Sequence, residues 1–160
     1  MSFQTDGPSA RYLTGSVVES AVGVVIVRAG ARRNAMTVSF FSEVAHHPTS
    51  MWVSIETSCH THELLRESAC FTFVTLHKHQ GPIALACGTV SGRDFDKCAG
   101  LDLYEAPDGY LFLRGGLAST ACRVRQELPL GSHTLFIADM LAGDWDTRAN
   151  GSRQLRLSDL

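Results

Sequence analysis

Hydrophobic and polar residues alternate along several short stretches of the chain, and the first clear alternation covers residues 36–42, MTVSFFS. The same period of two returns at residues 51–55, MWVSI. Because successive side chains of a β-strand point to opposite faces, this period predicts two half-buried strands. Residues 46–50, HHPTS, predict a turn between them, since Pro48 fixes its own φ and disfavours a helical conformation at His47.

The rest of the chain predicts further strands joined by short connections. Residues 22–27 are almost continuously apolar and β-branched, which is typical of a strand buried on both faces. Further strands are predicted at 17–18, 70–76, 110–113, 117–127 and 133–142, with short helices at 62–67 and 80–88, a helical segment at 91–99, and loops at 28–34, 115–116 and 129–131. At least seven strands and only short helices predict a closed barrel, which removes exposed sheet edges.

A cluster of hydroxyl groups and imidazoles precedes the first predicted helix. Residues 57–61, TSCHT, follow the strand at 51–55, and either Ser58 or Thr61 is placed to act as the N-cap of the helix at 62–67. A helix N-terminus carries unpaired N–H groups and partial positive charge, so such a turn can bind an anion such as phosphate. The same hydroxyls can instead only cap the helix and satisfy the turn backbone, and the residues by themselves leave both interpretations open.

The composition is that of a globular protein. Of the 160 residues, 44% are apolar and 19% charged, and the net charge is −2, which is typical of a soluble globular chain. We expect one domain over residues 1–160, with a polar lead-in at 1–13 and a polar tail at 143–160. Lys and Arg are scattered, so neither nucleic acid nor an anionic membrane is an expected partner. No signal-peptide pattern or bilayer-spanning apolar run occurs, so we expect a cytoplasmic protein.

Cysteine and histidine residues offer other chemistries. The five cysteines, at positions 59, 70, 87, 98 and 122, form no CxxC pair, and we expect free thiols that are mostly buried. His60 and His62, like His77 and His79, could place two imidazoles on one face of a strand, but no further ligand has matching spacing, so no metal is expected. A Cys/His nucleophile pair has no supporting local signature. A dinucleotide-binding glycine fingerprint is also missing, so a nicotinamide nucleotide would bind without a Rossmann fold.

Five stretches carry a resemblance to a known family: AMTVSFFSEV, SIETSCHTHELLRES, CFTFVTL, SGRDFDK and GSHTLFIADM. In this order and spacing, over about residues 22–140, the chain resembles the flavin reductase-like family of FMN-binding split barrels. The resemblance implies a mainly β fold, a Greek-key-like split β-barrel with a few short helices. It also implies reduction of FMN or FAD by NAD(P)H, with hydride passing from nicotinamide C4 to flavin N5 while the protein positions the two rings.

The resemblance also implies a set of site residues. The positions that match the part of the family lining the isoalloxazine ring and ribityl chain are Met36, Thr37, Val38 and Ser39, and Ser54, Ile55 and Glu56 are expected in the cofactor site as well. Ser58, His60 and Thr61 match the phosphate-side motif, and Lys97 matches a basic position near the cofactor. His133 matches the histidine on the nicotinamide side of the flavin, although it could instead be a barrel-end histidine with no ligand.

Three departures from the family pattern affect the expected cofactor site. Relatives often carry arginine at the position of His60 and a small neutral residue at that of Glu56, and both changes would weaken the attraction for phosphate. The tail also lacks the aromatic and basic strand with which relatives commonly end.

Partners and alternative functions follow from the same resemblance. It implies flavin and nicotinamide nucleotide as ligands and a homodimer, with apolar Phe40, Phe41 and Trp52 exposed beside the pocket. It also allows a monooxygenase partner that accepts reduced flavin. Two other functions stay open: an FMN-binding protein or electron carrier without reductase activity, and a barrel that has lost its flavin.

Overall fold

The computed structural model describes residues 20–148 and 153–160, so the predicted lead-in at 1–13 and the strand predicted at 17–18 lie outside the described residues. The strands are β1 (Gly23–Ala29), β2 (Arg32–Val38), β3 (Phe41–His46), β4 (Thr49–Glu56), β5 (Cys70–Thr75), β6 (Leu103–Glu105), β7 (Leu111–Leu113), β8 (Ala118–Leu130) and β9 (His133–Trp145). The α-helices of the described ranges are α1 (His60–Ser68) and α2 (Gly81–Gly88), and short 3-10 helices span Lys78–Gln80, Lys97–Gly100, Pro107–Gly109 and Leu157–Asp159.

Seven of the strands form one antiparallel sheet in the order β2-β1-β5-β8-β9-β4-β3, and β6 and β7 form a separate hairpin. The two edge strands follow each other in the chain, since only Ser39 and Phe40 separate β2 from β3. The carbonyl of Phe40 accepts a hydrogen bond from the N–H of Ser54 in β4 over 2.9 Å, and Phe41 packs its ring against Phe73 of β5 at a centroid distance of 4.6 Å. The sheet therefore curls on itself, which confirms the predicted mainly β split barrel with short helices. The prediction of full closure is wrong, because β2 and β3 remain the two edges of the described sheet.

Apolar side chains from the inner face of the sheet and from α1 fill the barrel. Val53, Phe71 and Phe136 are almost fully buried there. β1 is buried on both faces, as its continuous apolar sequence predicts, because α2 and Leu155 cover its outer side. Full burial of side chains of this size contributes about 1.5–3 kcal/mol each, so the two sides of β1 together anchor the fold.

Several predicted elements are confirmed. β5, β7 and α2 lie within one residue of their predicted ends, and β4 within two. The predicted turn at 46–50 joins β3 to β4 through a cis peptide bond between His47 and Pro48. All five cysteines are free thiols, with Cys87, Cys98 and Cys122 buried and the other two half-buried, as expected.

Other predicted boundaries are wrong. Residues 36–42 are not one strand, because the chain crosses from one sheet edge to the other between β2 and β3. The loop predicted at 28–34 is a two-residue turn in which Gly30 adopts φ +61°, so both flanking strands are longer than expected. The segment at 91–99 is mainly turn, and helical geometry begins only at Lys97. β8 continues through Leu130, so the turn predicted at 129–131 is a two-residue turn at 131–132.

The described part of the chain contains no helix that is both long enough and apolar enough to cross a membrane.

Candidate functional site

A cleft with a volume of about 290 Å³ opens between β2, the start of α1 and the segment that follows α2. Six of the twelve site residues predicted from the sequence line it: Met36, Thr37, Ser58, His60, Thr61 and Lys97. These residues come from three separate stretches of the chain. The fold therefore brings together the ring-side and phosphate-side parts of the predicted site.

Helix α2 forms one wall of the cleft because it packs closely against β2. The hydroxyl of Thr37 donates a hydrogen bond to the carbonyl of Ala84 in α2. A side chain at Gly88 would meet Thr37 at 3.3 Å, so glycine permits this close approach. The C-terminal end of α2 consequently lies beside the exposed edge of β2.

The start of α1 forms a second wall, and its geometry corrects the predicted N-cap. The N-cap residue is Cys59, which makes no side-chain capping bond, so the prediction of Ser58 or Thr61 as the N-cap is wrong. Thr61 lies inside the first turn with 1% of its surface exposed, and Ser58 is exposed in the preceding turn. The hydroxyls of Ser58 and Thr61 are therefore not committed to capping this helix.

Asn34, which the sequence analysis did not select, lies at the bottom of the cleft. Its Nδ2 donates to the hydroxyl of Thr61 over 2.9 Å, whereas its buried Oδ1 has no hydrogen-bond partner among residues 20–148 and 153–160. The amide also occupies the position that a side chain at Gly92 would take, since an added Cβ would lie 2.1 Å from Oδ1. Buried polar atoms are normally paired, so this amide oxygen is an acceptor that the described residues leave unused.

Two cationic side chains approach the cleft from the segment after α2. Lys97 is 7% exposed, and its ammonium donates to the carbonyls of Cys87 at 2.8 Å and Val90 at 3.1 Å. Burial lowers the pKa of Lys97, and one of its three donors has no partner among these contacts. Arg93 donates through Nη1 to the carbonyl of Ser58 over 2.9 Å, which holds the guanidinium at the cleft wall.

Glu63 lies close to three basic side chains at the mouth of the cleft. Its carboxylate accepts from Arg32 over 2.7 Å, and it lies 3.3 Å from His60 Nδ1 and 3.6 Å from Arg93 Nη2. Hydrogen bonds from Arg32 and then from His60 lower the pKa of Glu63, so the carboxylate stays ionised near neutral pH. Arg33 instead pairs with Asp96 at 3.0 Å.

Cys59 lines the cleft but is not an activated nucleophile. Burial, and then the charge of Glu56, raise the pKa of its thiol, so it is protonated at neutral pH. Among the described residues, no cluster of three or more His, Cys, Asp or Glu side chains is arranged to hold a metal ion. The rings of His77 and His79 stack on each other at a centroid distance of 5.2 Å, away from the cleft.

Five other predicted cofactor residues lie outside the lining of the cleft. The side chains of Val38 and Ile55 are buried in the barrel core, with 4% and 0% exposure, which leaves only their backbone for a ligand. Ser39 follows β2, and Ser54 and Glu56 lie among the last three residues of β4. These residues border the barrel rather than the cleft.

His133 begins β9 on the side of the barrel that adjoins the cleft. Its Cα is paired with that of Glu56 across β4 and β9, and its ring centroid lies 5.9 Å from that of Phe40. The preceding residue, Ser132, accepts a hydrogen bond at its carbonyl from the N–H of Thr57, the neighbour of Ser58. The histidine is therefore next to the turn that carries Ser58 but does not line the cleft.

Eight of the fourteen residues that line the cleft were not selected from the sequence, and Asn34, Gly92 and Arg93 are the three of them that shape its polar groups. Arg93 lies within SGRDFDK, where only Lys97 was selected, and its basic side chain was the available signal. Asn34 and Gly92 carried no usable signal, because their importance depends on a contact between positions far apart in the chain.

Comparison with known proteins identifies the family. The flavin reductase like domain model matches residues 16–156, and the chain therefore belongs to this family. Over 114 residues it is 29% identical to the reductase component of an FADH(2)-dependent resorcinol hydroxylase from Rhizobium sp., covering 71% of this chain and 63% of that protein. It is 26% identical over 117 residues to a high molecular weight rubredoxin from Moorella thermoacetica, covering 71% and 51%. The chain thus matches less than two thirds of the length of these curated relatives.

Solved structures confirm the split-barrel fold. An FMN-binding protein from Thermus thermophilus superposes with a TM-score of 0.85 and 22% identity, covering 96% of this chain and 86% of that one. An NADH:FAD oxidoreductase from Streptomyces globisporus C-1027 superposes with a TM-score of 0.83 and 18% identity, covering 98% and 93%. At these identities, the likeness establishes the architecture alone.

Proposed function

We propose that this protein is a flavin reductase that binds FMN or FAD in the cleft and reduces it with NADH or NADPH. The observation that carries the proposal is the meeting of β2, the first turn of α1 and the Arg93–Lys97 segment around one cleft. Membership of the flavin reductase like domain family supports the same reaction.

The residues of the cleft fit a flavin nucleotide. Ser58 and Thr61 offer hydroxyl donors, Arg93 and Lys97 offer positive charge, and the unpaired Oδ1 of Asn34 offers an acceptor to a ligand donor. A flavin nucleotide carries both the phosphate that donors and cations recognise and the N–H and hydroxyl groups that an amide oxygen recognises. The hydroxyl donors, the two cations and the one acceptor of the cleft therefore match the groups that a flavin nucleotide presents.

The protein's part in the reaction is positioning and charge stabilisation. A bound flavin accepts the hydride that NAD(P)H delivers. Thr61 directs its O–H toward the phosphate because Asn34 already occupies its oxygen as an acceptor. Arg93 and Lys97 hold the phosphate charge, and His133 orients the nicotinamide next to the ring. Fixing both reactants in one geometry lowers the entropic part of the activation barrier.

Arg93 compensates for the histidine at position 60. The family resemblance leads one to expect an arginine there, whereas here the carboxylate of Glu63 lies 3.3 Å from His60 Nδ1 and 3.6 Å from Arg93 Nη2. The guanidinium that recognises phosphate therefore comes from the segment after α2 rather than from the start of α1. Bidentate guanidinium contacts to phosphate are among the stronger hydrogen bonds in proteins.

Steady-state kinetics tests the proposed activity. The purified protein is mixed with FMN, FAD or riboflavin, and the oxidation of NADH and of NADPH is followed by absorbance. We expect oxidation of at least one nicotinamide nucleotide that depends on both protein and flavin. Flavin binding without such oxidation would favour the second candidate, an FMN-binding electron carrier, which the likeness to the Thermus thermophilus FMN-binding protein supports.

A monooxygenase is the proposed acceptor of the reduced flavin, and the cytoplasm is the proposed location. The relative from Rhizobium is named as a reductase component, which supports a two-protein system. Five free thiols suit a reducing compartment.

A homodimer is the proposed assembly. Of the three apolar residues selected from the sequence, Phe40 is 53% exposed, whereas Phe41 and Trp52 are half-buried, so only Phe40 keeps its expected role. Val90 and Phe95, near the cleft, are 47% and 62% exposed. Covering such side chains with a second copy would remove them from water. Light scattering at micromolar concentration should give twice the chain mass, and a fully active monomer would contradict the proposal.

A further inference from the structure

His133 is held on one side by a neighbouring hydroxyl. The Oγ of Ser132 lies 2.9 Å from Nδ1 of the imidazole, which is within hydrogen-bonding distance. The half-buried ring also contacts Phe40 at a tilt of 58°. Nδ1 therefore has a partner, whereas none of these contacts involves Nε2.

The turn that carries Ser132 is itself fixed to the wall of the cleft. The carbonyl of Ser132 accepts two hydrogen bonds from Thr57, one from the backbone N–H at 2.9 Å and one from the hydroxyl at 3.2 Å. Gly131 adopts φ +66°, which completes the reversal of the chain between β8 and β9. Thr57 precedes Ser58, so these two hydrogen bonds attach the turn directly to the wall of the cleft that carries Ser58.

We infer that Ser132 is a positioning residue, whose hydroxyl donates to Nδ1 of His133 and thereby holds the imidazole in the tautomer with its proton on Nε2. This inference rests on the proposed function, in which His133 orients the nicotinamide. With Nδ1 occupied, the N–H of Nε2 is the group that can donate to the carboxamide oxygen of the nicotinamide. The neighbour of a histidine commonly determines which ring nitrogen carries the proton and which direction it faces.

The carbonyl of Ser132 and its hydroxyl have separable tasks. The carbonyl fixes the turn through Thr57, and this contact belongs to the backbone, so Ser132→Ala keeps it. Among the described residues, the hydroxyl of Ser132 has the imidazole of His133 as its hydrogen-bond partner. Removing the hydroxyl therefore changes the orientation of His133 without removing the attachment of the turn.

The experiment compares Ser132→Ala, Ser132→Thr and His133→Ala with the unchanged protein. Turnover with NADH or NADPH at saturating flavin, the dissociation constant for FMN, and the ¹⁵N shifts of the His133 ring are measured. For Ser132→Ala we expect turnover to fall about three- to tenfold, the loss expected for one neutral hydrogen bond. FMN affinity should stay unchanged, and the ¹⁵N shifts should report a loss of the Nε2–H tautomer. Ser132→Thr, which keeps the hydroxyl, should show the turnover and the tautomer of the unchanged protein.

Ser42→Ala is the matched control, because it removes an exposed hydroxyl on β3 that contacts only a backbone carbonyl, and it should behave as the unchanged protein. Normal turnover in Ser132→Ala together with a defect in His133→Ala would overturn the positioning role and leave the proposed function standing. An unchanged tautomer in Ser132→Ala would overturn it as well. Normal turnover in His133→Ala would instead remove the proposed role of His133 itself and the inference with it.

Discussion

Asn34 and Thr61 are joined by a hydrogen bond of 2.9 Å across 27 positions of the chain, and both are almost completely buried. The direction of this bond matters, because Nδ2 of Asn34 is the donor and the threonine oxygen is the acceptor. The hydroxyl hydrogen of Thr61 is then available to a ligand. One contact between β2 and the first turn of α1 thus leaves the hydroxyl hydrogen of Thr61 for the proposed contact with phosphate.

Replacing Thr61 with valine should weaken FMN binding by roughly tenfold to a hundredfold, since a hydrogen bond to a charged group contributes about 1.5–3 kcal/mol. Riboflavin, which lacks the phosphate, should lose much less affinity. Titration of both flavins measures the ratio of their dissociation constants, and Thr61→Ser, which keeps the hydroxyl, is the control. An unchanged ratio would mean that Thr61 does not contact the phosphate.

Arg93→Ala should also reduce the preference for FMN over riboflavin, by about tenfold or more, because the cleft loses a guanidinium at its wall. Arg32→Ala is the matched control. Arg32 also pairs with Glu63, but it lies outside the lining of the cleft, and its variant removes the same charge. Equal losses of FMN affinity in the two variants would show a general charge effect instead of a contact.

Gly92→Ala should destabilise the protein and weaken flavin binding. The new Cβ would lie 2.1 Å from Oδ1 of Asn34, so the amide or the segment before Arg93 must move. Forcing a group into a packed site costs about 1–3 kcal/mol, which urea unfolding can measure. Gly100→Ala, where an added Cβ meets nothing within 4 Å, should be close to neutral.

A double variant tests whether Asn34 causes this effect. Asn34→Ala removes the amide that Gly92→Ala would strike, so the two changes together should cost less than the sum of their separate costs. Strict additivity would show that another contact makes glycine necessary at position 92.

Alternation and turn residues predicted which stretches of the chain near the site form strands, but they did not predict where β2 ends or that the segment at 91–99 is mainly turn. The hairpin of β3 and β4 follows from alternating side chains and from Pro48. The break at Ser39 could not be predicted, because the apolar and polar alternation continues across it while the chain changes sheet edge. The contact of Asn34 with Gly92 is likewise set by the packing of β2 against a distant turn, which no local pattern encodes. Family resemblance located Lys97, but only the folded chain shows that Arg93 reaches Ser58.

Stability should fall at acid pH partly through His62. Burial, and then the charge of Arg66, lower the pKa of this histidine below its ordinary value, and its Nε2 lies 2.9 Å from the hydroxyl of Thr134. The folded state therefore binds fewer protons here than the unfolded state. This stabilising contribution is complete above the unfolded pKa of about 6.5 and is lost as the pH falls through the lower folded pKa.

Urea unfolding between about pH 5 and 7 can measure this contribution. The decline in unfolding free energy toward low pH should be shallower in His62→Gln than in the unchanged protein. His46→Gln, at an exposed position of β3, should leave the slope unchanged. Parallel slopes for His62→Gln and the unchanged protein would contradict the assignment.

Single-turnover reduction tests most directly whether the cleft is the place where flavin accepts electrons. Each protein is mixed anaerobically with NADH or NADPH at one FMN concentration that is just sufficient to saturate the unchanged protein. The rapid loss of oxidised-flavin absorbance is compared among the unchanged protein, Thr61→Val and Arg93→Ala. We predict rapid bleaching in the unchanged protein and a bleached amplitude that falls in each variant in proportion to the flavin it still binds. Bleaching no faster than that of free FMN, or full amplitude in both variants, would contradict the account.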